Sequence, residues 1–283
     1  MASKISFGIA GWSYPDWEGI VYPPGIRDRL QYMVKYVDLI EINTTFYRPP
    51  NVRDSAAWLK RTEGKSFFFC AKLHQDITHG QVINPGMVSC FREGFLPLIE
   101  SAKLRHLLAQ FRWDFEDTSA HREHLKLIRE NFGSLANITL ELRHRSWQGA
   151  AALDYLSGLD VTVANLDYPL ASNSFSLSDC RVGQHRYLRL HGRNREAWFS
   201  KTAGRDQTYN YYYSDTELAD IAKRACALAE SAASLAIVAN NHFQGKEVAN
   251  ILKLKALILG RRLPVPAGLK IKYPELEKIA EPE

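Results

Sequence analysis

A chain of 283 residues that is 46% hydrophobic and 24% charged can bury a sizeable core, and its formal charge of +5 falls well short of the dense basic tracts of a dedicated nucleic-acid arm. No run of about 18 apolar residues occurs, which excludes a membrane-spanning helix, and residues 1–11 show neither the basic start nor the apolar stretch of an export signal, so a soluble cytoplasmic protein is expected. The four cysteines, Cys70, Cys90, Cys180 and Cys226, form no CxxC pair and have no histidines at zinc-finger spacing; they read as reduced core thiols.

In chain order, eight short apolar runs predict strands at 5–10, 37–42, 67–73, 107–111, 138–142, 161–164, 187–190 and 235–239. Segments of helical period lie between them, as at 120–132, 215–232 and 245–259, with Ser214 or Asp215 placed to cap the second. The expected fold is α/β, a single (β/α)8 TIM barrel over residues 1–260, with a long loop replacing one outer helix between strands 6 and 7 at 168–184. Prolines after Arg261 end the last helix and open a C-terminal tail, 261–283, packed on or trailing from the barrel.

Side chains alternate across a strand, so each run divides into two faces. In the fifth, Ile138, Leu140 and Leu142 oppose Thr139, Glu141 and Arg143, and the polar set must point inward. The same rule groups Glu41 with Asn43, Cys70 with Lys72 and His74, Gln110 with Arg112, Asn165 with Asp167, Arg189 with His191, and Asn240 with His242. These late positions are the carboxyl ends of strands, where barrel enzymes carry their sites. Lys72, Arg112, Arg143 and Arg189 against Glu41, Glu141 and Asp167 leave one positive charge in excess, which suits an anion. The competing reading is mutual ion pairing, because an unpaired buried charge costs several kcal/mol.

Aromatic side chains crowd the adjoining loops: Trp12, Tyr14, Tyr47, Trp113, Trp147 and Trp198, with Tyr209 further on. Beside Arg48, Arg145, Arg193 and Arg205 they could stack bases or sugars while guanidinium groups hold phosphate; loop packing is the plainer alternative. The basic segment GRNREAWFSKTAGR (192–205) lacks the ending of a phosphate loop and reads as an anion clamp.

No cofactor is expected. Glu41, His74, Glu141, Asp167, His191 and His242 are acceptable ligands for a divalent metal, but Lys72, Arg143 and Arg189 among them repel one. No serine-nucleophile elbow occurs, and Cys70 lies in an apolar strand. General acid and base chemistry on an anionic, phosphate-containing substrate leads: Glu41 or Glu141 as base, His191 or His242 as acid, and Lys72, Arg143 and Arg189 stabilising developing negative charge. Substrate contacts are expected from Trp12, Tyr14, Asn43, Tyr47, Arg48, His74, Gln110, His144, Trp147, Asp167, Arg193, Asn240, Asn241 and His242. The rivals are a non-catalytic nucleic-acid or nucleotide binder, and third a glycan hydrolase built on Glu41 and Glu141, although neighbouring arginines work against either as a proton donor.

The blocks GIAGWSYPDW (8–17), EINTTFYRPP (41–50), KLHQDITH (72–79), ELRHRSW (141–147), YLRLHGR (187–193) and NNHFQGK (240–246) together resemble the DUF72 (YecE-like) family, in family order across nearly the whole chain. The resemblance implies a barrel with its motif-rich strand ends on one side and no settled activity. The architecture is similar to endonuclease-IV-like and xylose-isomerase-like barrels, a likeness of fold alone. QFRWDF (110–115) departs from the resemblance, standing where relatives carry a Pro-Pro segment, so the role of Arg112 and Trp113 is not implied by it.

Overall fold

The computed structural model describes residues 5–282, so the expectation for the first four residues lies outside the described part. Strands alternate with helices through most of the chain: β1 (Ile5–Ala10), β2 (Leu39–Ile42), β3 (Phe68–Lys72), β4 (Leu104–Gln110), β5 (Asn137–Glu141), β6 (Thr162–Val163), β7 (Asn165–Asp167), β8 (His185–Leu190) and β9 (Ser234–Ala239). They hydrogen-bond in the order β6-β5-β4-β3-β2-β1-β9-β8-β7, and strands adjacent in sequence running parallel with helices between them define an α/β fold of the TIM-barrel class. Among the described residues no helix is long and apolar enough to cross a membrane.

Among the described residues nine strands stand where eight apolar runs were expected, because the sixth run changes partner at Ala164. Thr162 and Val163 pair with Thr139 and Leu140, and the Ala164 amide still donates to the Leu140 carbonyl. Beyond that point Asp167 serves β8, accepting from the His191 amide at 2.9 Å. Two strands begin two or more residues earlier than their apolar runs. β4 starts at Leu104 and β8 at His185 because Arg105, His106, His185 and Arg186 belong to the pleat although they break the apolar pattern.

Helix ends follow their side chains. Ser214 and Glu217 form a reciprocal capping box at the start of Asp215–Glu230, and Thr118 caps Ser119–Phe132. No helix occupies 168–184, as expected. Gly8 has a simpler reason: a Cβ there would lie 2.5 Å from the Leu39 carbonyl oxygen, so any side chain would push β2 aside.

The chain divides into two compact units. One holds the chain up to Ile40, Leu166–Pro169 and the chain from Leu188; the other holds Glu41–Asn165 and Leu170–Tyr187. In the first, β1 pairs with β9, and the tail forms helix Ala267–Lys272 and folds back on the turn after Trp17. A Cβ on Gly268 would meet the Ile20 carbonyl at 2.7 Å, and the Tyr273 hydroxyl donates to the Gln244 carbonyl at 2.9 Å. In the second, β3, β4 and β5 run side by side.

A buried polar layer runs across the second unit. His106 is 2% exposed, its Nδ1 lies 2.9 Å from the Thr139 hydroxyl, and its ring packs edge-on to Tyr187 and His185. Burial first, then the charges of His185 and Arg105, drive its pKa down to about 3. The imidazole is therefore neutral in the fold, whereas an unfolded histidine protonates near 6.5. With the folded value depressed, the native state resists protonation that the unfolded chain accepts. Its contribution is complete above about pH 6.5 and drains away as pH falls toward 3. A His106→Gln variant is expected to flatten the fall in urea midpoint between pH 6.5 and 4; equal slopes in the two proteins would refute this assignment.

Cysteines divide unevenly. Cys70 and Cys180 are buried, and burial raises both thiols, so each is inert. Cys90 and Cys226 are exposed on helices, contrary to the expectation of four core thiols.

Candidate functional site

Each unit carries its own cluster of polar side chains at the carboxyl ends of its strands. In the second unit Glu141 ends β5 and Arg143 lies two residues beyond it, where its Nε and Nη2 both donate to one Glu141 oxygen at 2.9 and 2.6 Å. Glu41, fully buried, accepts from the Tyr187 hydroxyl at 2.9 Å. Tyr187 was absent from the expected site, although it shares the alternation of Arg189 and His191 and could have been found by it.

The centre of this cluster is a histidine that spacing did not single out. His79 closes the short helix Gln75–Thr78, exposed to solvent, and its ring packs edge-on to Phe46 with centroids 5.0 Å apart. Lys72 Nζ lies 5.6 Å from the same Phe46 ring. A hydrogen bond joins the His79 imidazole to the Gln110 backbone at the end of β4. Partial burial, then the positive charges of Arg112, Arg143 and Lys72 in that order, hold the His79 pKa below its ordinary value. Three cations from the ends of β3, β4 and β5 thus act on one exposed imidazole.

Several expected contacts are otherwise occupied. His74 is 7% exposed and caps the helix that ends at His79, its Nδ1 accepting from the Asp76 amide, so the exposed histidine of KLHQDITH lies five residues later. Arg112 points to solvent and pairs with Asp114, which the charge count had ignored. Trp147 is fully buried, stacked on Phe115, with its indole N–H on the Phe115 carbonyl at 2.8 Å; it packs the core and offers no face to a ligand. His144 hydrogen-bonds Ser146 at the start of the turn Arg145–Gln148. Asn43 and Gln110 are half-buried, while Arg48 and Tyr47 are exposed, Tyr47 to 64%. Trp113, 62% exposed, follows Arg112.

In the first unit Asp167 is consumed. One carboxylate oxygen accepts from Arg193 Nε at 2.9 Å and from the Tyr213 hydroxyl at 2.7 Å, and the other from Arg193 Nη2 at 2.6 Å. Arg193 also reaches Glu217 at 3.2 Å, so the head of the basic 192–205 segment is tied down rather than offered to an anion. Arg189 and His191 are fully buried. The Asn240 amide donates to His191 Nδ1 at 3.0 Å, and Asn241 donates to the Tyr211 carbonyl.

His191 and His242 sit among rings from the loops. Trp198 lies 5.7 Å from His191, Tyr209 5.7 Å from His242, and Tyr14 stacks on His242 at 4.4 Å, while Trp12 remains half-buried nearby in sequence. His242 Nε2 faces Asp206 at 3.3 Å, and its Nδ1 is buried without a hydrogen-bond partner among the described residues. Burial first and Arg205 second lower its pKa, which disfavours the acid role expected of it and leaves a neutral proton acceptor. Among the described residues no three His, Cys, Asp or Glu side chains gather as a metal site.

The family model "Protein of unknown function DUF72" matches residues 6–269. The UPF0759 protein YunF of Bacillus subtilis is 25% identical over 263 residues, covering 87% of this chain and 92% of that protein. A DUF72 family protein from Thermotoga maritima superposes with a TM-score of 0.80 at 25% identity, covering 91% of this chain and all of the other. One from Enterococcus faecalis also gives 0.80 at 25% identity, over 90% and 95% of the two chains. Motif order, strand topology and these likenesses agree, and the chain belongs to the DUF72 family.

Proposed function

We propose that the protein is an enzyme acting on a phosphate-containing anionic substrate, a small molecule or nucleic acid, by general acid and base chemistry at the cluster around His79. The observation that carries this reading is the meeting of Lys72 and the exposed His79 on the Phe46 ring, with the positive charges of Arg112 and Arg143 also bearing on that imidazole. Cations so arranged bind and orient phosphoryl oxygens and stabilise the charge that builds on them during displacement. A neutral imidazole among them is a competent base near neutral pH.

In a hydrolytic step the free ring nitrogen of His79 takes a proton from water as the water oxygen bonds to phosphorus. The phosphorus–oxygen bond to the leaving group breaks with its electron pair on that oxygen, which then receives the proton from the imidazolium. Arg143, held by Glu141, and Lys72 face the phosphoryl oxygens in this scheme. Glu41 and Glu141 replace no proton in it. Both are fully buried and hydrogen-bonded, which suits them to positioning and argues against the glycan-hydrolase alternative.

The exposed rings of Tyr47 and Trp113 favour one second reading, a nucleotide or nucleic-acid binder without catalysis. Long incubation with phosphomonoesters and diesters separates the two, since a binder returns its ligand unaltered. For the shared premise the probe is inorganic phosphate in a calorimetric titration. Lys72→Ala is expected to weaken its binding by about tenfold, the loss of one charge-assisted hydrogen bond. Equal affinity in both proteins, or no binding to the wild type, overturns the proposal.

A further inference from the structure

A cavity of about 530 Å³ opens in the first unit beside helices Asp215–Glu230 and Lys246–Leu259, a size that accommodates a small ligand. Its floor is aliphatic, made by Leu218, Ala256, Leu257 and Ile279, with no aromatic ring among its lining residues. Leu257 is 51% exposed there, a large apolar side chain left facing water. The rim is charged and unbalanced: four basic residues, Lys253, Arg261, Arg262 and Lys278, against the two carboxylates of Asp215 and Glu275.

The carboxylates are already engaged. Asp215 pairs with Lys253 at 2.7 Å, and the negative charge of Glu275 bears on the Tyr212 phenol, whose pKa is raised by burial first and then by that carboxylate. Arg261 and Arg262 have no hydrogen bond or ion pair to another described residue, and both are exposed. They follow the left-handed Gly260 that ends helix Lys246–Leu259, where positive charge complements the helix dipole, but that role needs no cavity between them and an aliphatic floor.

We propose that this cavity binds a medium-chain aliphatic carboxylate, its hydrocarbon chain on the Leu218–Leu257–Ile279 floor and its head group on Arg261 and Arg262. The chemistry of the walls selects the chain. They present methyl and methylene groups, so a ligand with amides of its own would bury polar groups without partners, whereas an alkyl chain buries none. Two free guanidinium groups at the rim match a carboxylate with paired, parallel hydrogen bonds. The cavity shares no lining residue with the His79 cluster, and the proposal stands whether or not that cluster is catalytic.

Decanoate is the probe, titrated calorimetrically into the full-length protein, with decanol as the uncharged control. Saturable one-to-one binding of decanoate is expected, at least about tenfold tighter than decanol and weakened about tenfold or more in the Arg261→Ala/Arg262→Ala double variant. Both residues are exposed, so the variant should melt at the wild-type temperature. Leu257→Asp, which sets a carboxylate on the floor, should weaken decanoate as well. Absence of saturable binding, equal affinity for decanol, or decanoate binding unchanged in both variants overturns the proposal.

Discussion

Replacing Asp167 by alanine is expected to destabilise the protein by about 2–4 kcal/mol, the largest effect of any single change at the expected site residues of the first unit. Asp167 is 8% exposed and accepts three hydrogen bonds, from two Arg193 nitrogens and from Tyr213. Tyr213 is fully buried, and its phenol also accepts from the Gly192 amide at 3.0 Å, so the hydroxyl cannot turn to water when its acceptor is removed. An orphaned buried donor of this kind costs about 1–3 kcal/mol. Arg193 adds less than a buried ion would, because its side chain is 38% exposed and can lean on Glu217. Asp167→Asn, which keeps an acceptor for the phenol, should lose about half as much. Urea unfolding of the three proteins measures both numbers, and a loss below about 0.5 kcal/mol in the alanine variant would show that the triad holds nothing in place.

His79→Gln is expected to lower turnover of a phosphate ester by about 10²–10⁴ while leaving inorganic phosphate binding nearly intact, the signature of a lost proton acceptor rather than a lost contact. The pH profile supplies the sharper test. Burial and three neighbouring cations hold the His79 pKa below its ordinary value, so the neutral base persists at neutral pH and the acid limb of the profile lies on the low side of 6.5. Removing one cation relieves that pressure. In Arg112→Gln the limb should move to higher pH, toward the ordinary histidine value, because protonation is no longer opposed by the neighbouring charge that weighs most on it. A limb that stays fixed in Arg112→Gln, or a full rate in His79→Gln, assigns the proton transfer elsewhere.

How much of this was legible beforehand follows from the range of the interactions. The Thr139 and Glu141 face was readable because period-two alternation is local, and β5 carries it to its last residue, with Arg143 two residues beyond. The starts of β4 and β8 were not, since their first turns of pleat present His106 and His185 to a polar layer that no apolar run announces. The fate of Asp167 depended on Arg193 and on Tyr213, 26 and 46 residues away, and so looked like an open carboxylate. His79 was missed for the same reason. Its character comes from cations on three strands, none of which its own sequence neighbourhood contains except Lys72. The aromatic loops were legible as a composition and not as a placement: Trp147 turned into the core, whereas Trp113 and Tyr47 stayed in water.

The pairing of β1 with β9 has a consequence for how the polypeptide emerges from the ribosome. Ile5 lies opposite Leu235, so β1 has no permanent neighbour on that edge until β9, 230 residues later, has been translated. The stretch from Glu41 to Asn165, by contrast, brings β3, β4 and β5 out in succession and can assemble as it appears. Closing the long interval between the two ends makes the late step slow by its contact order alone, and during that wait the apolar edge of Ile5–Ala10 is what a chaperone would find.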